Sequence, residues 1–246
     1  MTVPEPEGRA AFYAARPGGW RDWWTLLHPP YTAWHLAYVA IGAALAPTVD
    51  GVRLGATVLA FFAAMGIGAH ALDELHGHPL HTRISDRVLV VAGTTGVLAA
   101  VLLGVAGLHR IGPVLIPFIV IGPLLVAGYN LELFHGRIHT DLGFALAWGA
   151  FPVLTGYVAQ AGHLGVAAVL AAAGAAALAY AQRALSTPAR LLRRRALSVD
   201  GTLALDDGTR RPLDTETLLR PLEVALRALS YAVVLLAAAM VTARLW

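Results

Sequence analysis

The residue types that could do chemistry in this chain gather in two short stretches. The first, GAHALDELHGHPLHTRISD at 68–86, sets four histidines, the adjacent acids Asp73 and Glu74, and Arg83 directly behind a long apolar run. The second, NLELFHGRIHTD at 130–141, follows Tyr129 and carries Asn130, Glu132, His135, His139 and Asp141. If the first stretch begins as a helix end, His70, Asp73 and Glu74 stand at i, i+3 and i+4 and share one side. The pairs Asp73/His76 and Glu132/His135 repeat an acid-x-x-His spacing, with which helical bundles hold two metal ions between neighbouring helices. His35 offers a further nitrogen. Oxygen ligands suit Mg²⁺, whereas imidazoles move the preference toward Zn, Fe or Mn.

The same residues also have a plain reading, because polar groups collect at membrane interfaces simply to meet water. His78, His81, His109 and His163 are read that way. His70, Asp73, Glu74 and Glu132 sit at the hydrocarbon boundary, where an ionisable group is costly, and are read as functional. His35 stands between the two. Trp20, Trp23, Trp24, Trp34 and Tyr31 read as an interfacial aromatic belt, with a lipid-binding role open for Trp34 or Tyr38.

The elements that must position these groups are membrane helices. Hydrophobic residues make up 57% of the chain and charged ones 13%, with a mean hydropathy of +0.64, against about 25% charged residues in a soluble domain. Runs long enough to cross a core of about 30 Å fall at 32–47, 52–72, 87–108, 111–130, 141–160, 163–182 and 224–243, seven in all. Pro113, Pro117 and Pro123 mark the fourth for kinking, and AAVLAAAGAAALAYA gives the sixth a smooth surface for close packing. No cysteine occurs, which excludes disulfides, thiolate metal sites and a cysteine nucleophile. The first thirty residues do not read as a cleaved signal.

All 18 positive residues are arginine. With the amino terminus in the cytoplasm, the outer segments hold only Arg53, Arg110 and Arg244, so the positive-inside rule places both chemistry-bearing stretches on the cytoplasmic side of the plasma membrane. Arg183, Arg190 and the Arg193–Arg195 run are read as topogenic or drawn to anionic headgroups, and nucleic acid is not expected as a partner. The chain divides into an amino-terminal interfacial segment (1–30), a six-helix membrane core (31–182), an arginine-rich cytoplasmic segment with a hairpin-like polar insert (183–222) and a last helix (223–246). Asp200, Asp206, Asp207 and Asp214 of that insert read as turn residues.

The order of elements resembles the UbiA superfamily of intramembrane prenyltransferases. AHALDELHG (69–77) takes the place of that family's first aspartate-rich motif, N-D-x-x-D-x-x-x-D, and HPLHTR follows where the family has a basic segment. YNLELFHGRIHTDLGFALAWGAFPVLTGYVAQ (129–160) is similar to the family's tyrosine, short polar loop and Gly-rich fifth span. Within the first motif only Asp73 retains an acid; Ala69, His70 and Gly77 occupy the other three positions. The second acidic motif should follow the sixth span, yet YAQRALSTPARLLRRR (180–195) has no acid, and the family's nine spans are reduced to seven.

The resemblance implies an all-α membrane bundle that ionises an allylic prenyl diphosphate. Asp73 and Glu74 would hold Mg²⁺ and Arg83 the phosphate, with Tyr129 and Asn130 beside them, while an apolar tunnel protects the carbocation. A second reading reuses the helices for a transition-metal centre of His70, Asp73, Glu74, His76, Glu132, His135, His139 and Asp141, oxidising or hydrolysing a lipid. A third is a lipid- or ion-binding membrane protein without catalysis. The lipid, the acceptor and the oligomeric state are not legible in the sequence.

Overall fold

The computed structural model describes residues 11–133 and 135–246. Arg9 and the rest of the first ten residues of the amino-terminal segment lie outside the described residues, as does Phe134. The chain is an all-α membrane protein with one small hairpin. A short α1 (Trp20–Leu26) precedes α2 (Pro29–Ala44), α3 (Gly51–Leu75), α4 (Asp86–Ile111), α5 (Pro113–Asn130), α6 (Asp141–Ala161) and α7 (Val166–Arg194). The hairpin of β1 (Gly201–Ala204) and β2 (Arg210–Leu213) follows, and α8 (Thr215–Leu245) ends the fold. Helices α3 to α8 are the six that are long and apolar enough to cross a membrane. Their outward surfaces stay apolar: Leu98, Leu102, Leu170, Leu235 and Leu236 are each more than half exposed, a pattern that hydrocarbon tolerates and water does not.

The first apolar run of the sequence becomes α2, of 16 residues, about 24 Å at 1.5 Å per residue. It is shorter than the six spanning helices and lies in the middle of the bundle, against α6 and α8. Trp34, Tyr38 and Val39 are fully buried there. Trp34 is therefore a core residue and not part of an interfacial belt; its indole N–H donates to the Tyr38 hydroxyl inside the core, which removes the reason to seek a watery interface. Trp20 and Trp24 remain exposed. The close crossing of α2 and α6 depends on two glycines. A Cβ on Gly42 would run into the Val153 carbonyl, and one on Gly156 into the Val39 carbonyl.

Each helix reverses the direction of the last, so the bundle has two ends. At one, Asp50 caps α3 by accepting from the N–H groups of Val52 and Arg53, which holds its carboxyl below the ordinary range. Arg53 reaches the carbonyls of Gln160 and Arg110, and Arg244 reaches those of Ala44 and Ala46. The other end gathers the starts of α2, α4, α6 and α8 with the ends of α3, α5 and α7, and carries the two chemistry-bearing stretches. There α7 continues to Arg194, well past the apolar run, and α8 already begins at Thr215. At 29 residues, α7 is about 44 Å long and overshoots a core of about 30 Å. Its charged last turns pack on α8 through Ala189, Leu219 and Leu226 and through an ion pair of 2.7 Å between Arg193 and Glu223.

Two helices widen as they approach this end. Phe62–Ala69 of α3 and Ala145–Ala150 of α6 are π-helical, and their glycines let neighbours come close. Gly68 lies against Gly93 of α4, and a Cβ on Gly149 would fall 2.6 Å from the Ala175 carbonyl of α7. Widening displaces the usual i→i+4 ladder. Two carbonyls in these stretches accept from imidazoles: Gly66 from His70 Nδ1 at 3.0 Å and Trp148 from His35 Nδ1 at 2.9 Å.

Candidate functional site

Asp73 and Glu74 are adjacent, and the end of α3 sends them to different tasks. Glu74 is fully buried. Its carboxylate accepts from the backbone N–H of Leu80 at 3.0 Å, from that of Thr82 at 3.0 Å, and from the Thr82 hydroxyl at 2.8 Å. Both oxygens are thus spent holding the loop that joins α3 to α4. Asp22 of α1 works beside it, accepting from Gly18 N–H and Arg83 N–H. Glu74, expected as a ligand, has its carboxylate engaged by the loop backbone and Thr82, and Arg83 contributes its backbone there while its side chain is exposed.

Asp73 is left open. It is half-buried and its carboxylate makes no hydrogen bond or ion pair with the described residues, yet its charge acts on His70, Tyr129 and Arg190. The carboxylate therefore stands between the end of α3 and the ends of α5 and α7. His70 beside it lies 4.7 Å, ring to ring, from His28. His28 donates from Nδ1 to the Leu26 carbonyl at 2.8 Å. Burial pushes the His28 imidazole well below its ordinary value of 6.5, and the neighbouring His70 pushes the same way. A carbonyl can only accept, so Nδ1 carries the proton in both rings and, in the neutral form, Nε2 keeps its lone pair.

Across from Asp73, Tyr129 is held from three sides. The Arg183 guanidinium donates to its hydroxyl at 2.6 Å while Nε of the same side chain pairs with Asp141 at 2.7 Å. That guanidinium also lies over the rings of Tyr129 and Phe144, 5.9 and 5.4 Å from their centres. His139 stacks on Tyr129 at 4.4 Å and its Nδ1 donates to the Tyr129 carbonyl at 3.0 Å. Asn130 is buried and turned into its own helix, donating to Val126 O at 2.8 Å. The connecting loop is tightly wound, with Glu132 and His135 both at positive φ, and Glu132 reaches only to 4.0 Å from His139.

Below this polar rim lies an apolar cavity of about 350 Å³ between α3, α4, α5 and α6. Met65, Val126 and Trp148 line its upper end and belong to the same packed cluster as Ala69 and Tyr129. It continues past Phe61, Gly104 and Phe118 toward Arg53 and Arg110 at the far end of the bundle. Tyr129 is the rim residue that packs on the cavity's lining.

The residues expected at the site are thus divided. Asp73, His70, Tyr129, His139 and Asp141 are grouped around the rim; Glu74 and Asn130 serve the backbone; His76, Glu132 and His135 are exposed. Among the described residues no three of His, Cys, Asp and Glu converge where a metal ion could sit. Sequence reasoning took Arg183 and Arg190 only as topogenic or headgroup-directed and passed over His28. The signal for the two arginines was their spacing of seven, which returns them to one side of a helix, if α7 is continued through the charged stretch. Compared with known proteins, the chain matches no family model, no curated protein and no solved structure.

Proposed function

We propose that this chain is a UbiA-like intramembrane enzyme that acts on an isoprenoid lipid and transfers a prenyl group from its diphosphate with the help of Mg²⁺. The observation that carries the reading is the packing of Tyr129 in one buried cluster with Met65, Val126 and Trp148, which line the upper end of an apolar space whose volume falls in the range of ligand pockets, about 300–1,000 Å³. A diphosphate belongs at the rim and its hydrocarbon tail below it. The finer topology belongs to the same proposal. In it α2 is a seventh crossing, and the arginine distribution puts the rim on the cytoplasmic side of the plasma membrane.

Mg²⁺ is commonly bound through one or two carboxylates completed by substrate phosphates and water, and Asp73 has the free oxygens to provide one of these. Bound there, Mg²⁺ would add positive charge where the leaving group departs. Tyr129 offers its hydroxyl hydrogen to a phosphate oxygen, and Arg183 holds that hydroxyl in place. In the transfer, the bond between the allylic carbon and the diphosphate oxygen breaks with its electron pair on oxygen. The acceptor then forms the new bond to that carbon and gives up a proton. Met65, Trp148 and Phe151 line the space around the tail and keep water from the carbon.

The test is release of pyrophosphate from C5 to C20 prenyl diphosphates by the protein in lipid nanodiscs with Mg²⁺, supplied with a membrane lipid extract as acceptor. Release by the native chain that falls at least 100-fold in Asp73→Asn, with an unchanged melting temperature, supports the proposal. Equal release by both, or none by either, removes it.

A further inference from the structure

The arginines of α7 are unequally satisfied. Arg193 is buried and neutralised by Glu223. Arg183 is shared between Asp141 and Tyr129. Arg190 is half-buried, yet among the described residues its hydrogen bond is a long one of 3.3 Å to the Thr187 hydroxyl and no carboxylate of theirs forms an ion pair with it. Two helical turns separate Arg183 from Arg190, so both lie on one side of α7. Their charges and that of Asp73 act together on Tyr129.

Tyr13, His28 and Tyr31 cluster together, with ring centres 5.2, 5.5 and 6.5 Å apart, and the paired Arg193 and Glu223 also act on Tyr31. The charges of Arg190 and Arg194 reach Tyr13 and His28. Burial raises the Tyr13 phenol and lowers the His28 imidazole, so both remain neutral around pH 7. The Tyr31 hydroxyl, on which the charge of Arg190 also acts, is buried with no hydrogen-bond partner among the described residues. Tyr31 packs against the cluster that contains Ala189, the residue before Arg190, and an orphaned buried hydroxyl and a guanidinium that meets no carboxylate among the described residues are each costly until something accepts from them. Among the described residues, with the Arg193–Glu223 pair set aside, three guanidiniums (Arg183, Arg190, Arg194) share the region with two carboxylates (Asp73, Asp141), a balance that favours an anion. Guanidinium forks match phosphate oxygens, and two forks on one helix side can divide between two phosphoryl groups.

We propose that Arg183 and Arg190, with the Tyr31 hydroxyl, form an anion site for a phosphate or diphosphate group beside Asp73, and that this site binds its anion without a metal ion. The inference rests on the function proposed above in taking that group to be the leaving diphosphate. It goes further in assigning charge neutralisation to α7, in a stretch with no acid between residues 180 and 195, and in making Mg²⁺ an aid to departure and not a condition for binding.

The experiment is calorimetric titration of inorganic pyrophosphate and inorganic phosphate into the protein in phosphatidylcholine nanodiscs with EDTA present. The native chain is expected to bind pyrophosphate more tightly than phosphate. Arg190→Gln and Tyr31→Phe are expected to weaken pyrophosphate at least tenfold, and Arg190→Lys less. Arg195→Gln, outside α7, should leave it unchanged, with melting temperatures reported for all. Loss of native binding in EDTA, or native affinity in Arg190→Gln, overturns the proposal. A second arm replaces part of the lipid with phosphatidylglycerol: retained pyrophosphate affinity supports a soluble-facing diphosphate, and its abolition assigns the site to a lipid headgroup and overturns the diphosphate assignment. Pyrophosphate binding without turnover would leave the anion site standing and remove the enzymatic reading. Turnover indifferent to Arg190→Gln would do the reverse.

Discussion

Replacing Glu74 by alanine tests whether the two adjacent acids at the end of α3 have separate roles. The native carboxylate is fully buried and accepts three hydrogen bonds, from Leu80 N–H, Thr82 N–H and the Thr82 hydroxyl, at 2.8–3.0 Å. Hydrogen bonds to a charged group are worth about 1.5–3 kcal/mol each. The donors are only part-buried, so water re-satisfies some of them, and the low end of the range applies to at most two. The expected loss is about 3 kcal/mol, which for a chain of this size is a fall on the order of 6–12 °C in melting temperature. Thermal unfolding in nanodiscs, followed by tryptophan emission, reads it directly. Glu74→Gln, which keeps the acceptor oxygen and the volume, should recover part of the loss, and Asp73→Ala should melt like the native chain. If Asp73→Ala is the destabilised variant, or Glu74→Ala melts normally while losing metal or substrate binding, the division of roles is wrong.

Two further outcomes are expected. Gly156→Ala places a methyl against the Val39 carbonyl at the crossing of α2 and α6 and should cost about 1–3 kcal/mol by overpacking, whereas Gly174→Ala, which meets open space, should leave the melting temperature unchanged. The His28 imidazole, pushed below 6.5 by burial, takes up its proton more readily when unfolded, so its share of stability is complete above pH 6.5 and is lost as pH falls below it. Between pH 7 and pH 5 the native chain should lose stability through this group, and a flatter stability profile in His28→Phe would show it, whereas an identical slope would contradict the assignment.

Hydropathy made the membrane helices legible because apolar length is all a span requires. It also placed the ends of α3 and α5 on one side, since short connections force neighbours to run antiparallel. The pairing of acids was harder to read. Asp73 and Glu74 differ by one step around a helix, and only the return of the loop at Thr82 decides which of them is enclosed. Trp34 lay in a run apolar on every side, where a core position and an interfacial one have the same sequence. The reach of α7 was hidden by composition: Pro188 and five arginines between 183 and 195 resemble a solvated tail, but the helix continues through them because Ala189 and Arg193 pack on α8. The arginines at the rim follow from that continuation, so they could not be seen until it was known.

In the proposed function a hydrocarbon tail occupies the space between α3, α4, α5 and α6, with its head toward Asp73 and Tyr129. The measurement that tests this most directly is photolabelling with a prenyl diphosphate that carries a photoreactive group at the end of its tail, followed by mass spectrometry of the labelled peptides. The expected label lies on the cavity walls, in the α3 segment from Ala60 to Met65 or the α6 segment from Trp148 to Phe151, and is suppressed by excess inorganic pyrophosphate. Label confined to the outward surfaces of α7 and α8, at Leu170, Leu235 or Leu236, or label that pyrophosphate does not suppress, would contradict it.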